Sequence, residues 1–307
     1  MSFRILNYCA NPSDVAKPGL LINGRIYDLA KIAGGESGLD VSSTFALFQD
    51  WSKSQSALTK IAASVSEADG LALDDVTLRA PLLYPGAIFC TAANYSDHVE
   101  EMNHGYKFNR EGFRPYFFLK APPSRAIAHP DEKIPVPSHT EKLDWEAELA
   151  FVIGKRAKDV SADDAMNYVA GFTIINDLSA RDHLFRDDWK QFKTDWFGQK
   201  CFDKSVPMGP WITPASEVPD LSDLRIQLWL NGELRQDTGT RFMIFNVAEQ
   251  IEALSRQVTL EPGDIVATGT GAGVGGKLDG RDQEFLQPGD HLKIEIEGLG
   301  VLENSFV

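Results

Sequence analysis

Apolar positions recur at every second residue in several short runs and at every third or fourth in only a few, a pattern that predicts a chain dominated by strands. Residues 3–8 read as a strand. Residues 19–29 read as a hairpin turning at Asn23-Gly24, a pair that accepts the positive φ angles of a type I′ turn. The spacing predicts a helix over 44–65, after which Leu78-Arg79-Ala80-Pro81 closes a first unit. Beyond it, 86–91 is a short buried strand, 115–137 a proline-rich irregular connection, and 143–153 an alternating strand ending before Gly154. A short helix over 161–168, capped by Ser161, feeds a strand over 171–177. Runs 226–230 and 234–237 flank a second Asn-Gly turn, Asn231-Gly232. Asn246 with Glu249 three residues on starts a helix over 247–257 that buries Val247, Ile251 and Leu254. Alternation over 292–297 gives a last half-buried strand. The expected architecture is α+β and mostly β, with a small α+β domain over 1–80 and a larger domain over 81–307.

Composition narrows the function classes. The 307 residues are 43% hydrophobic and 24% charged, the balance of a globular chain with buried cores. Thirty Lys and Arg against 44 Asp and Glu leave a net charge of −14, which repels nucleic acid and anionic membranes. Cys9, Cys90 and Cys201 lie too far apart in sequence for a disulfide framework or a metal knuckle and suit reduced, cytoplasmic thiols. The start lacks the basic and apolar character of a signal peptide, and no run reaches the roughly 18 apolar residues of a membrane span.

Candidate chemistry concentrates in two places. In Asp144-Trp145-Glu146-Ala147-Glu148-Leu149, period two puts Glu146 and Glu148 on one face of a strand and Ala147 and Leu149 toward the core. An isolated Glu-x-Glu is also what a solvated strand face presents. Asp177, ending the strand over 171–177, offers a third carboxylate, and an all-oxygen set suits Mg²⁺, Mn²⁺ or Ca²⁺ and fits Zn²⁺ poorly. In the second place, His98 and Glu101 share one face of a helical turn, where the carboxylate orients the imidazole for proton transfer near neutral pH. A surface helix whose His merely meets its neighbour has the same spacing.

Five segments in order resemble the fumarylacetoacetate hydrolase family: Asn94-Tyr95 with His98 and Glu101; Glu146-x-Glu148; residues 176–182, reading Asn-Asp-Leu-Ser-Ala-Arg-Asp; Lys200-Cys201-Phe202-Asp203 leading to Pro207-Met208-Gly209-Pro210-Trp211; and residues 263–270, reading Gly-Asp-Ile-Val-Ala-Thr-Gly-Thr. The match covers about residues 80 to 307. The resemblance implies a mixed β-roll catalytic domain, a homodimer, and one Mg²⁺ or Mn²⁺ per chain held by Glu146, Glu148 and Asp177. It implies His98 and Glu101 as the water-activating pair, Lys200 near the reacting centre, and Arg181, Lys120, Thr270 and Tyr95 around a small anionic 2-oxo acid. The activity implied is hydrolysis of a C–C bond in a 2,4-dioxo acid of acylpyruvate or fumarylpyruvate type. In that chemistry the cation chelates the carboxylate and 2-oxo oxygen, and Lys200 stabilises the developing oxyanion. The alternative is an isomerase, tautomerase or decarboxylase of 2-oxo or 2-hydroxy-dienoic acids from aromatic or sugar-acid catabolism. Segments 103–113 and 189–202 are candidate walls or a lid. The chain departs from the family pattern at Asn94, where animal members carry a fourth carboxylate, at Leu184, where some carry glutamine, and at Gly271, often proline. These departures bear on the substrate and leave the carboxylate set intact.

Overall fold

The computed structural model describes residues 2–11, 13–34, 38–102, 107–186, 188–189, 191, 193–218, 220–276 and 283–307. The strands of the main sheet that place the site are β1 (Arg4–Cys9), β2 (Lys17–Ile22), β3 (Arg25–Asp28), β4 (Ile88–Ala92), β5 (Tyr116–Leu119), β6 (Ala147–Ile153), β7 (Val169–Asn176), β8 (Val206–Pro214) and β9 (Ile265–Ala267). Across the sheet they run β3-β2-β1-β8-β7-β6-β9-β4-β5. β9 and β4 are parallel, and the other neighbours in this row are antiparallel. A second sheet joins the hairpin Arg225–Leu230/Glu233–Gly239 to His291–Ile296 and Gly300–Phe306. The fold is α+β and mostly β, with mixed sheets, as expected. Among the described residues no helix is long and apolar enough to cross a membrane.

Local signals act where expected. Asn23 and Gly24 take φ of 48° and 77°, and Asn231 and Gly232 take 52° and 83°, so both hairpins turn where the sequence marks them. Asn246 and Glu249 form a reciprocal capping box on the helix Val247–Gln257.

Tertiary context corrects three elements. The helix over 44–65 is two, Thr44–Gln49 and Trp51–Ser64, because Asp50 leaves helical backbone (φ −139°) and its carboxylate accepts from the Lys53 N–H. The connection over 115–137 is not wholly irregular: it holds β5 and a one-turn helix, Pro123–Ala126. The strand over 143–153 breaks after Leu143–Asp144 and resumes as β6. There the backbone is held by side chains instead of a ladder: Asp144 Oδ1 accepts from Trp145 N–H, Asn176 Oδ1 from Glu146 N–H, and Gln236 Oε1 from Ala147 N–H.

Every residue of β6 is buried, so this strand is covered on both faces instead of one. Ala147, Leu149, Phe151 and Ile153 pack with Phe172, Ile226, Ile251 and Ile294 in one cluster. Ala150 and Val152 pack on the other side with Phe3, Ile5, Leu20 and Ile212. Residues 1–80 thus share a core with the rest of the chain, and the Ile5↔Ile212 pairing of β1 with β8 carries the sheet across that junction.

His129 ties the same junction together: its Nδ1 accepts from the Ala80 N–H at 3.3 Å, a role that requires the unprotonated nitrogen. Burial, with Arg79 and Lys204 adding and Glu132 opposing, pushes its pKa from 6.5 down to about 4. The folded state therefore stays neutral at pH values where the unfolded chain takes up a proton. Stability present above pH 6.5 is lost as pH falls through about 4. His129→Asn keeps an acceptor without a titrating ring, so its denaturation midpoint should fall less between pH 7 and 4 than that of the parent. Equal slopes in urea titrations would remove His129 from the acid response.

Candidate active site

The antiparallel pair Ala147↔Asn176 puts the start of β6 beside the end of β7. Glu146 precedes β6, Glu148 is its second residue and Asp177 follows β7, with the Asp177 N–H donating to Glu146 O at 2.9 Å. One oxygen from each of these three buried carboxylates lies within 4.8 Å of the others. They form one wall of a cavity of about 540 Å³ also lined by His98, Arg181, Lys200 and Thr270.

Cations answer most of this negative charge. Lys200 Nζ donates to Glu146 Oε2 at 2.6 Å and Asp177 Oδ2 at 2.8 Å, and Lys120 Nζ to Asp177 Oδ1 at 2.5 Å. Arg181 spans Asp144 Oδ2 and Glu146 Oε1, both at 2.7 Å. Burial pushes the Glu146 carboxyl up, but Lys200 and Arg181 outweigh it and hold it at about 2. The same pairing outweighs burial at Lys200, where Asp177 and Glu146 raise the ammonium above its ordinary value. Glu148 behaves oppositely: burial first, then the charges of Asp177 and Glu146, push it well above the carboxylate range. Its Oε2 accepts from the Gly269 N–H at 2.8 Å. Gly269 has φ +96°, and a Cβ there would stand 2.9 Å from Thr91 O, so the position needs glycine for this close approach. An all-oxygen set with one carboxylate short of positive charge fits a hard divalent cation.

The helix α1 (Ser96–Met102) carries His98 and Glu101 on one face, as the spacing predicts. His98 Nδ1 lies 3.8 Å from Glu101 Oε2. Glu101 in turn accepts from the Gly273 N–H at 2.9 Å. Asn94, two residues before this helix, has its amide donating to Phe245 O and Thr268 O while its oxygen accepts from the Phe245 N–H. The residue that departs from the family pattern is therefore a backbone clamp.

The expected substrate contacts divide. Thr270 lines the cavity, although its hydroxyl already donates to Ala147 O and accepts from Gln236. Arg181 lines it with its guanidinium turned to Asp144 and Glu146. Lys120 lies behind Asp177 and is not among the lining residues. Tyr95 is wholly buried with its hydroxyl 3.2 Å from Thr268 Oγ1, so it packs in the core and does not reach the cavity. Of the candidate lid, residues 103–106, 190 and 192 lie outside the described residues. Trp196, on α2 (Trp196–Lys200), does form a wall, stacked 4.9 Å from Phe118.

Sequence reasoning missed Asp144, which is fully buried and takes the Gly275 and Gly276 N–H groups as well as Arg181. Its signal was present, an acid two residues before Glu146. It singled out no role for Gln199, which lines the cavity from within the candidate wall 189–202, and it missed the aromatic wall of Tyr116 and Phe118, whose period-two run was hidden by flanking prolines.

Comparison with known proteins places this geometry. The profile described as fumarylacetoacetate (FAA) hydrolase C-terminal matches residues 87–307. The chain is 41% identical over 233 residues to the mitochondrial oxaloacetate tautomerase FAHD2B of Bos taurus, covering 76% of this chain and 70% of that one. A putative HpcE protein from Mycobacterium smegmatis superposes with a TM-score of 0.80 at 30% identity, covering 99% of each chain. Maleylpyruvate hydrolase from Sphingobium sp. SYK-6, solved with manganese(II) and pyruvate, gives 0.73 at 26% identity, covering 99% of this chain and 98% of that one. With the profile spanning most of its length and a relative at that identity, the chain belongs to the fumarylacetoacetate hydrolase family, whose members named here are enzymes.

Proposed function

We propose that this protein is a divalent-cation-dependent enzyme that interconverts the enol and keto forms of a 2-oxo acid of oxaloacetate type. The observation that carries the reading is the meeting of Glu146, Glu148 and Asp177 within 4.8 Å in a cavity that also holds His98 and Lys200. The tautomerase at 41% identity supports proton transfer as the reaction. Glu146, Glu148 and Asp177 would hold Mg²⁺ or Mn²⁺, which would supply Lewis-acid polarisation of a 2-oxo acid.

The chain's own groups do the rest. With Nδ1 turned to Glu101, the other imidazole nitrogen of His98 is available to the substrate. It takes the proton from C3; the C3–H electrons form the C2–C3 double bond, the 2-oxo oxygen takes the negative charge, and that oxygen then receives the proton that the His98 imidazolium gives up, which restores the neutral base. Glu101, held by the Gly273 N–H, stabilises the imidazolium. Lys200 stabilises the charge growing on oxygen. The reverse sequence gives ketone from enol.

Hydrolysis of a 2,4-dioxo acid is the second reading, favoured by the same His98–Glu101 pair acting on water. The two separate in one experiment: decay of enol absorbance on oxaloacetate with added Mg²⁺, beside turnover of an acylpyruvate in H₂¹⁸O. Label in a product carboxylate supports hydrolysis; enol decay without it supports tautomerisation; neither, with cation present, removes both. His98→Asn should lower turnover about 10²- to 10⁴-fold while cation affinity by calorimetry stays within about twofold, because His98 lies outside the carboxylate set. Full turnover in that variant assigns the base elsewhere.

A further inference from the structure

Asp144 has no task in the chemistry above, yet it is fully buried where the two halves of the site meet. The antiparallel pair Asp144↔Ser179 sets it beside the chain that leads from Asp177 to Arg181. Among the described residues its two oxygens accept from four N–H donors. Oδ1 takes the Trp145 N–H at 2.8 Å and the Gly275 N–H at 2.7 Å; Oδ2 takes the Gly276 N–H at 2.9 Å and Arg181 Nε at 2.7 Å. An ionised carboxylate accepts at both oxygens and donates at neither, so no neutral side chain of this shape satisfies both pairs.

Two arms leave this carboxylate. Through Arg181, whose Nη2 donates to Glu146 Oε1 at 2.7 Å, it reaches the carboxylate set. Through Gly275 and Gly276 it reaches the loop whose Gly273 N–H holds Glu101 Oε2 at 2.9 Å, and so the His98–Glu101 pair. The neighbouring Trp145 pins the same loop, its Nε1 donating to Gly273 O at 3.1 Å. The close approach depends on glycine: a Cβ on Gly275 would stand 2.8 Å from Asp144 Oδ1 and 1.9 Å from Glu284 O. Asp144 is not among the residues lining the cavity, so it bears on the reaction through the groups it holds.

We infer that Asp144 is a positioning residue that holds the cation-binding carboxylates and the His98–Glu101 pair at a fixed distance from each other. The inference rests on the proposed 2-oxo acid chemistry and adds how its two parts are kept in register. Proton transfer needs the base within hydrogen-bond reach of a substrate oriented elsewhere in the site. A misplacement of about 1 Å can cost on the order of 10²-fold in rate. The arm through Arg181 adds a second effect. A guanidinium released from Asp144 keeps only Glu146 as its partner, and drawn onto that carboxylate it competes with the cation.

The test uses the full-length protein, with Mg²⁺ affinity from titration calorimetry and kinetics at saturating Mg²⁺ on whichever of oxaloacetate and acetylpyruvate the wild-type protein converts. Asp144→Asn keeps the shape but turns an amide toward one pair of N–H donors. It should weaken Mg²⁺ binding and lower kcat, each about 10- to 100-fold, with KM within about threefold because Asp144 does not touch the substrate. Trp145→Phe loosens only the loop arm, so kcat should fall about 2- to 10-fold while Mg²⁺ affinity stays within about twofold. In a Glu101→Gln background Asp144→Asn should cost less kcat than in the wild type, because part of its effect passes through Glu101. A lowered melting temperature with kcat and Mg²⁺ affinity unchanged would make Asp144 a purely structural residue and overturn the inference; so would full additivity with Glu101→Gln. If Asp144→Asn does not fold, Gly276→Ala decides, since its added methyl would stand 3.2 Å from Asp144 Oδ2 and Arg181 Nε. Joint loss of kcat and Mg²⁺ affinity in that variant supports the inference, and no loss of either overturns it. Absence of cation-dependent turnover of both substrates by the wild-type protein would instead bring down the parent reading, and this inference with it.

Discussion

Glu148→Gln should lose divalent-cation binding and turnover together while the protein stays folded. Glu146 and Asp177 each have lysine or arginine at hydrogen-bond distance, but Glu148 has neutral Gly269 N–H and two like charges nearby. In the cation-free protein a neutral amide at this position therefore removes repulsion and leaves no buried cation orphaned. With cation present the balance reverses, since the substitution deletes the charge that the lysines do not answer. Loss of a mere outer partner of a metal site typically costs about 10–100-fold in affinity, and loss of a direct carboxylate should cost at least that. Titration calorimetry with Mg²⁺ and a thermal melt in chelator give the two readouts. An unchanged dissociation constant would take Glu148 out of the cation site, and a collapsed melting temperature would mean its role is structural.

What the sequence made legible and what it hid follow from the range of the interactions involved. Asn-Gly turns and the Asn246–Glu249 capping box are set by residues three positions apart or fewer, and they fold as read. His98 and Glu101 likewise meet because one helical turn brings them together. Glu146 and Glu148 were expected on one face of a continuous strand. They converge instead across a break, because Asn176 and Gln236, 30 and 89 residues distant, take the backbone N–H groups that a ladder would have used. The other partners of the site are distant in sequence as well: Asp144 meets Arg181 across 37 residues, and Glu148 meets the Gly269 N–H across 121. No local pattern encodes such pairs. Tyr95 shows the converse error: a residue close in sequence to the site is sent to the core, because its hydroxyl finds Thr268 and its ring is wholly buried.

Lys200→Met should move turnover and cation affinity in opposite directions. Its ammonium lies 2.6 Å from Glu146 Oε2 and 2.8 Å from Asp177 Oδ2, on the carboxylates that the proposed cation engages. Lys200 thus serves as counter-charge to the cation-free site, and any cation arriving there meets its repulsion. Removing it withdraws an electrostatic donor from the reacting oxygen, a loss of about 10²–10³ in turnover. Removing it also lifts a positive charge from within a few ångströms of the cation, which should tighten Mg²⁺ binding by roughly tenfold or more. Stability follows the same logic. Without cation, two buried acids lose a partner, a loss of about 3 kcal/mol at the low end for a broken buried pair, moderated by Lys120 on Asp177 and Arg181 on Glu146. Saturating Mg²⁺ should then raise the melting temperature of the variant more than that of the parent, because binding linkage adds to the state with the tighter site. Lys200→Arg should not restore turnover, since a planar fork cannot occupy the space of a compact ammonium between two carboxylates. Weaker Mg²⁺ binding by Lys200→Met would show that the lysine organises the carboxylates instead of opposing the cation, and the charge argument for this site would have the wrong sign.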